Sequence, residues 1–241
     1  MNKVTVAAIA FLGTAALAPG SSADAMTMMP MQMELIAAGN RSHVQFQITN
    51  DSAAPLPIEI TYQHLTYGEN GERQLSRATD ELAVFPGTTM IPPGSTQTFR
   101  VQWVGSPEIE TSQSFAIRAR QLPVKMKNDG HSRVQLVSAF DAILNVAPLN
   151  GAADLKLLSS APAKTDQGKP ALSILVENPT NVHALISNGV LHTGSEVLNQ
   201  EAIRSRVGIG VVGPHKRRRF LVPLTGQASG SVTLEYRPMN R

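Results

Sequence analysis

His43, His64, His131, His183, His192 and His215 are the side chains best equipped to move a proton or hold a metal. No two lie close enough in the chain to share one strand face; His183 and His192 meet only if a hairpin joins them. Glu108 and Glu110 flank Ile109 just after Pro107 and read as solvated loop carboxylates. Met26, Met28, Met29, Met31 and Met33 form a soft-ligand cluster of the kind that takes copper(I). No histidine accompanies them and the run merges into a strand, so they read as a frayed N-terminal stretch. There is no G-x-S-x-G, Walker loop, H-E-x-x-H or C-x-x-C, and no cysteine at all. No catalytic group, metal or cofactor is therefore expected, and the chain is not expected to be an enzyme.

What positions these residues is a chain of strands. Val44, Phe46 and Ile48 alternate with polar residues and face one side. Thr49-Asn50-Asp51-Ser52 closes that strand as a turn. Leu56, Ile58, Ile60 and Tyr62 mark the next face; Phe99, Val101 and Trp103 mark another. Phe115, Ile117 and Ala119 face inward on a further strand, with Arg118 and Arg120 on its opposite face. Pro86-Gly87, Pro92-Pro93-Gly94, Pro107 and Pro123 punctuate the series. The second half repeats the theme, with strands expected at 155–158, 172–177, 182–191, 207–212, 220–223 and 232–236. No amphipathic helix of normal length is visible. Short strands between turn signals predict an all-β chain of two immunoglobulin-like sandwiches, joined by a short linker near Pro148-Leu149-Asn150-Gly151.

Residues 1–25 read as a cleavable signal peptide. Lys3 precedes an apolar run at 4–18, and Ala23 and Ala25 supply the small residues for cleavage. The expected division is 1–25 signal, 26–148 first domain and 149–241 second domain. An exported chain without cysteine is held by its cores alone. Its 16% charged and 42% hydrophobic residues are a folded composition. The net charge of +3 is spread thinly except at His215-Lys216-Arg217-Arg218-Arg219. That cluster follows Gly213-Pro214 and precedes Phe220-Leu221-Val222, so it reads as a turn and an exposed strand start. No aromatic residue is interleaved with it, and nucleic acid is not an expected partner.

The segment 133–148 stands apart. It runs from Val134, Leu136 and Ser138 through Phe140, Ala142 and Leu144 to Pro148, long for a strand. It follows a polar loop that contains Gly130.

Several segments, taken in order, carry a resemblance. They are Gln47-Ile48-Thr49-Asn50-Asp51, Phe85-Pro86, Ile91-Pro92-Pro93-Gly94 with Gln97, Arg100 and Val101, Ala119-Arg120-Gln121-Leu122-Pro123, Val134-Gln135-Leu136, Val176-Glu177-Asn178-Pro179-Thr180, and Gly213-Pro214. The chain resembles the periplasmic pilus-assembly chaperones of the chaperone–usher pathway. Membership implies a strand donated to an unfinished pilus subunit, whose open groove would otherwise aggregate, and delivery of that subunit to an outer-membrane usher. Val134, Leu136, Ser138 and Phe140 are the implied donor contacts. The loop 123–133 is then expected to order on binding. Self-association of the free protein through the same edge is compatible with this reading.

The chain departs from the family at the basic pair that grips the subunit's terminal carboxylate. Alignment puts Glu34 and Ile143 at those positions, and Ala147 where an arginine usually precedes the linker proline. This resembles an archaic or alternative branch. Arg118 and Arg120 are the candidate anchors in their place. Two other classes compete: a structural pilin or adhesin of immunoglobulin-like domains, and an exported enzyme, for which the sequence offers no site.

Overall fold

A computed structural model describes residues 26–123, 137–226 and 231–238. Val134, Leu136 and most of the loop 123–133 lie outside the described residues.

Among the described residues the first unit carries ten strands: β1 (Met26–Met29), β2 (Gln32–Ile36), β3 (His43–Asn50), β4 (Leu56–Tyr67), β5 (Arg73–Arg77), β6 (Leu82–Phe85), β7 (Thr88–Ile91), β8 (Thr96–Trp103), β9 (Gln113–Gln121) and β10 (Ala139–Ala147). They form two sheets, ordered β1-β3-β8-β6 and β2-β10-β9-β4-β5, with β7 also on β4. The inward residues of both sheets make one core. Phe46 and Phe99 stack at 5.1 Å between centroids, and Phe115 sits 6.2 Å from Trp103. Alternation causes this: Phe46, Ile48, Phe115, Ile117 and Ala119 are all buried, as their spacing requires.

The methionine run is not frayed. Met26 and Met28 point into the core from β1, and Met33 does so from β2. Pro30 lies between the two strands, which pair in different sheets.

The second unit carries β11 (Lys156–Lys164), β12 (Pro170–Glu177), β13 (Ala184–Leu185), β14 (Gly189–His192), β15 (Val197–Leu198), helix α1 (Gln200–Val207), β16 (Val211–Val212), β17 (Arg217–Pro223) and β18 (Thr233–Tyr236). Their sheets are β11-β12-β17, β13-β16 and β15-β14-β18. The strand expected at 182–191 is two, split by a 3-10 turn at Ile186–Asn188. There the chain passes between sheets, and Ile186 N–H bonds to Gly210 O at 3.0 Å. Gly210 has φ +61°, and a Cβ there would lie 2.2 Å from Ile186 Cγ2, so only glycine fits. Most of the strand expected at 207–212 is likewise missing: α1 ends at Val207 and only Val211–Val212 pairs.

The two units repeat one device. Asn50 is fully buried, donates to Ala54 O and Ile91 O, and accepts from Ser52 N–H and Oγ. Asn178, also fully buried, donates to Val182 O and Val212 O and accepts from Thr180 N–H and Oγ1. The core of the first unit extends to Val146 and that of the second begins at Ala147.

Candidate functional site

β10 is paired unequally on its two sides. On one side β9 runs antiparallel along it from Ala139↔Arg120 to Val146↔Gln113. Gln121 N–H extends that ladder to Ser138 O at 3.0 Å. On the other side β2 runs parallel, but only from Ile143↔Gln32 to Ala147↔Ile36. Among the described residues, no strand covers that side of Ala139, Phe140, Asp141 and Ala142. Among those residues, half of β10 is therefore an open sheet edge.

Of the four donor contacts read from the sequence, two are described. Ser138 and Phe140 fall in phase with Ala142, Leu144 and Val146, which are fully buried. Phe140 packs against the core and stays half-buried. The open edge thus continues from an apolar, core-facing row.

Three other outer strands, β11, β5 and β6, are blunted against pairing. β11 contains Pro162, has Lys156 and Lys164 at its ends, and is irregular between Leu157 and Ser159. β5 is exposed throughout and carries Arg73 and Arg77. β6 has four residues and meets Pro86. The open half of β10 has no proline, no lysine and no register shift, and its one charged residue is Asp141.

Arg118 and Arg120 lie on the outward face of β9, beside β10, as their spacing requires. Both already hold carboxylates of this chain. Arg118 grips Asp141 with two bonds, Nε to Oδ1 at 2.7 Å and Nη2 to Oδ2 at 2.9 Å. Arg73 adds a third bond to Asp141 at 3.2 Å. The hydrogen bonds from Arg118 hold the Asp141 carboxyl below its ordinary value, against the upward pull of burial. Arg120 is bonded to Glu59. A partner's carboxylate would have to displace one of these acids.

The position aligned with the first basic cleft residue holds an acid in fact. Glu34 shares a 2.9 Å hydrogen bond with His183 Nε2, and His183 Nδ1 lies 3.1 Å from Ser112 Oγ. His183 is 1% exposed. It does not meet His192, which lies 3.4 Å from Glu235 instead. Asn145, opposite both Glu34 and Ser114 in the sheet, accepts from Ser114 Oγ at 2.6 Å. Ile143 is half-buried and Ala147 buried. A polar joint of Glu34, His183, Ser112, Ser114 and Asn145 occupies this part of the cleft.

The basic cluster supplies the other side of the joint. Arg217 pairs with Glu177 at 2.9 Å and starts β17, as a turn and strand start would. Arg218 is not exposed: its guanidinium lies 4.2 Å from the Tyr67 ring centre and 4.9 Å from that of Phe220. Burial lowers its pKa from the ordinary value. Arg219 pairs with Glu69 at 3.2 Å. Between these contacts and Ser112 lies a cavity of about 310 Å³, bordered by Ser114, Thr66, Pro214 and Lys216. The joint has no signature in the sequence, since its partners are far apart in the chain.

No protein-family model matches the sequence, and no curated protein does. Solved structures do match. A chain of the Salmonella enterica SafA pilin in complex with the SafB chaperone aligns with a TM-score of 0.55 at 11% identity, over 90% of this chain and 98% of that one. A chain of the CsuC–CsuE chaperone–tip adhesion subunit pre-assembly complex, from the archaic chaperone–usher Csu pili of Acinetobacter baumannii, gives 0.54 at 13%, over 86% and 91%. The E. coli chaperone DraB gives 0.53 at 16%, over 89% and 90%. The chain has the two-domain, all-β fold of these pilus chaperones.

Proposed function

We propose that this protein is a periplasmic, non-enzymatic chaperone that stabilises pilus subunits by donating a strand and passes them to an outer-membrane usher. The observation that supports it is that β10 is only half covered among the described residues. A regular, unblunted strand end is a template for another chain, and folded proteins ordinarily block such edges. An unfinished subunit sandwich supplies the complementary need: a vacant groove and a row of unpaired backbone groups. Backbone ladders then give affinity, and alternate side chains on the Phe140 row fill the groove.

In this reading residues 1–25 are the export signal, 26–148 the donor domain and 149–241 the second domain. Val134, Leu136, Ser138 and Phe140 are the donor contacts. Arg118 or Arg120 anchors a subunit carboxylate by exchanging Asp141 or Glu59 for it. The test is co-expression with pilus subunits that lack their last strand, followed by co-purification and hydrogen exchange. The expected result is a one-to-one complex in which the amides of 139 and 141, which face away from β9, become protected. A complex that leaves those amides unchanged, or no complex with any such subunit, overturns the proposal.

A further inference from the structure

We infer that Asp141 is a positioning residue: gripped by Arg118 and Arg73, it holds the open half of β10 extended before a partner strand arrives. This rests on the strand-donation reading and says how the strand is kept ready.

A strand end bonded on one side only should open locally at low cost. Here Asp141 is the one charged residue among 137–142 and sits inside the stretch that no described strand covers. Its side chain is 14% exposed, less than either arginine that binds it, at 41% and 44%. Its two oxygens take three charge-assisted bonds. Arg118 lies directly opposite it in the register, so the bidentate contact is a cross-strand pair. Arg118 also belongs to a firm support, because β9 has β10 on one side and β4 on the other. Arg73 comes from β5, at the opposite edge of the same sheet. Asp141 is thus tied to two separate strands, neither of which contributes to the uncovered side. A segment already extended loses less freedom on pairing, which favours capture.

The experiment is hydrogen exchange on the free full chain at neutral pH, with no partner present. Asp141→Asn should speed exchange at the backbone amides of positions 140 and 142, which face β9, by about tenfold, the order of one charge-assisted hydrogen bond. Amides of Phe99 and Val146 should not change. Asp141→Arg alone should behave like Asp141→Asn, and Asp141→Arg combined with Arg118→Asp should restore protection. Unchanged exchange in Asp141→Asn overturns the inference. So does an equal rise at Phe99 and Val146, which would mean plain loss of stability, or a swapped pair that restores nothing. The readout needs no partner, so its failure leaves strand donation standing. A wild-type protein that shows the protection yet captures no subunit would instead sink strand donation.

Discussion

Arg218, from the second domain, lies 4.2 Å from the ring centre of Tyr67, in the first. The same guanidinium faces Phe220, and its Nη1 donates to Val211 O. A flat cation between two rings gains from both faces, more so when withdrawn from water. Arg219 and Glu69 reinforce the contact through side chains and through Arg219 N–H to Glu69 O at 2.6 Å.

The two domains should therefore unfold together, and Arg218→Ala should uncouple them. The expected loss is roughly 1–2 kcal/mol of coupling, the range of a desolvated cation–aromatic pair. Calorimetry would show the single transition broaden or split. Tyr67→Phe should keep the coupling and Tyr67→Leu should lose it. A single, unshifted transition in Arg218→Ala refutes the role.

Asp141 carries a sign-definite pH dependence. The Arg118 hydrogen bonds depress its folded pKa below that of the unfolded chain. Its contribution is therefore present above the unfolded value, about 3.9, and is lost as pH falls through the folded one. Glu196, depressed chiefly by Arg206, behaves alike. Thermal unfolding followed from about pH 6 to 3 should show stability falling steeply below about pH 4. Asp141→Asn should make the acid limb shallower; an identical limb counts against the pairing.

Leu136→Arg should abolish subunit capture while the free protein stays folded. Phe140→Arg should do the same at a described position, with some loss of stability because Phe140 also touches the core. Each apolar side chain withdrawn from the subunit groove is worth about 1.5–3 kcal/mol, or roughly ten- to a hundredfold in affinity. Pull-down of the co-expressed subunit and circular dichroism of the free variant would read the two arms. Normal capture by both variants would mean that the donor face is misassigned.

Period-two spacing made the first domain's inward faces legible, because alternation is written locally: Phe115, Ile117 and Ala119 needed no distant information. Met26 and Met28 carried the same spacing, but Pro30 and strands of only four and five residues hid the pair. Helix α1 has its signals, Asn199 accepting from Ala202 N–H at 2.9 Å and Gly208 at φ +81°. It buries only Ile203, so no apolar stripe announced it. The cleft was illegible for another reason. Glu34 and His183 are brought together by the packing of two domains, as are Tyr67 and Arg218. Nothing in the local sequence around any of them encodes that meeting. The half-covered edge was legible only as an unusually long strand; that the pairing with β2 begins only at Ile143 is a fact of register.

Asn50 and Asn178 make the same argument twice, once in each domain. Each amide NH₂ satisfies two carbonyls, and each amide oxygen closes a turn through a hydroxyl and a backbone N–H. Truncation leaves those carbonyls without their donors. Asn178→Ala should therefore cost roughly 2–4 kcal/mol, and Asn50→Ala a similar amount. Asn178→Asp should do no better at neutral pH, because a carboxylate cannot donate to Val182 O or Val212 O and would place a charge in the core. Asn181→Ala is the control: its side chain makes one exposed bond to Glu110 O at 2.9 Å, and its loss should cost under about 1 kcal/mol. Urea unfolding of the three alanine variants gives the ranking directly. If Asn181→Ala proves as costly as Asn178→Ala, burial of the amide is not what stabilises these turns.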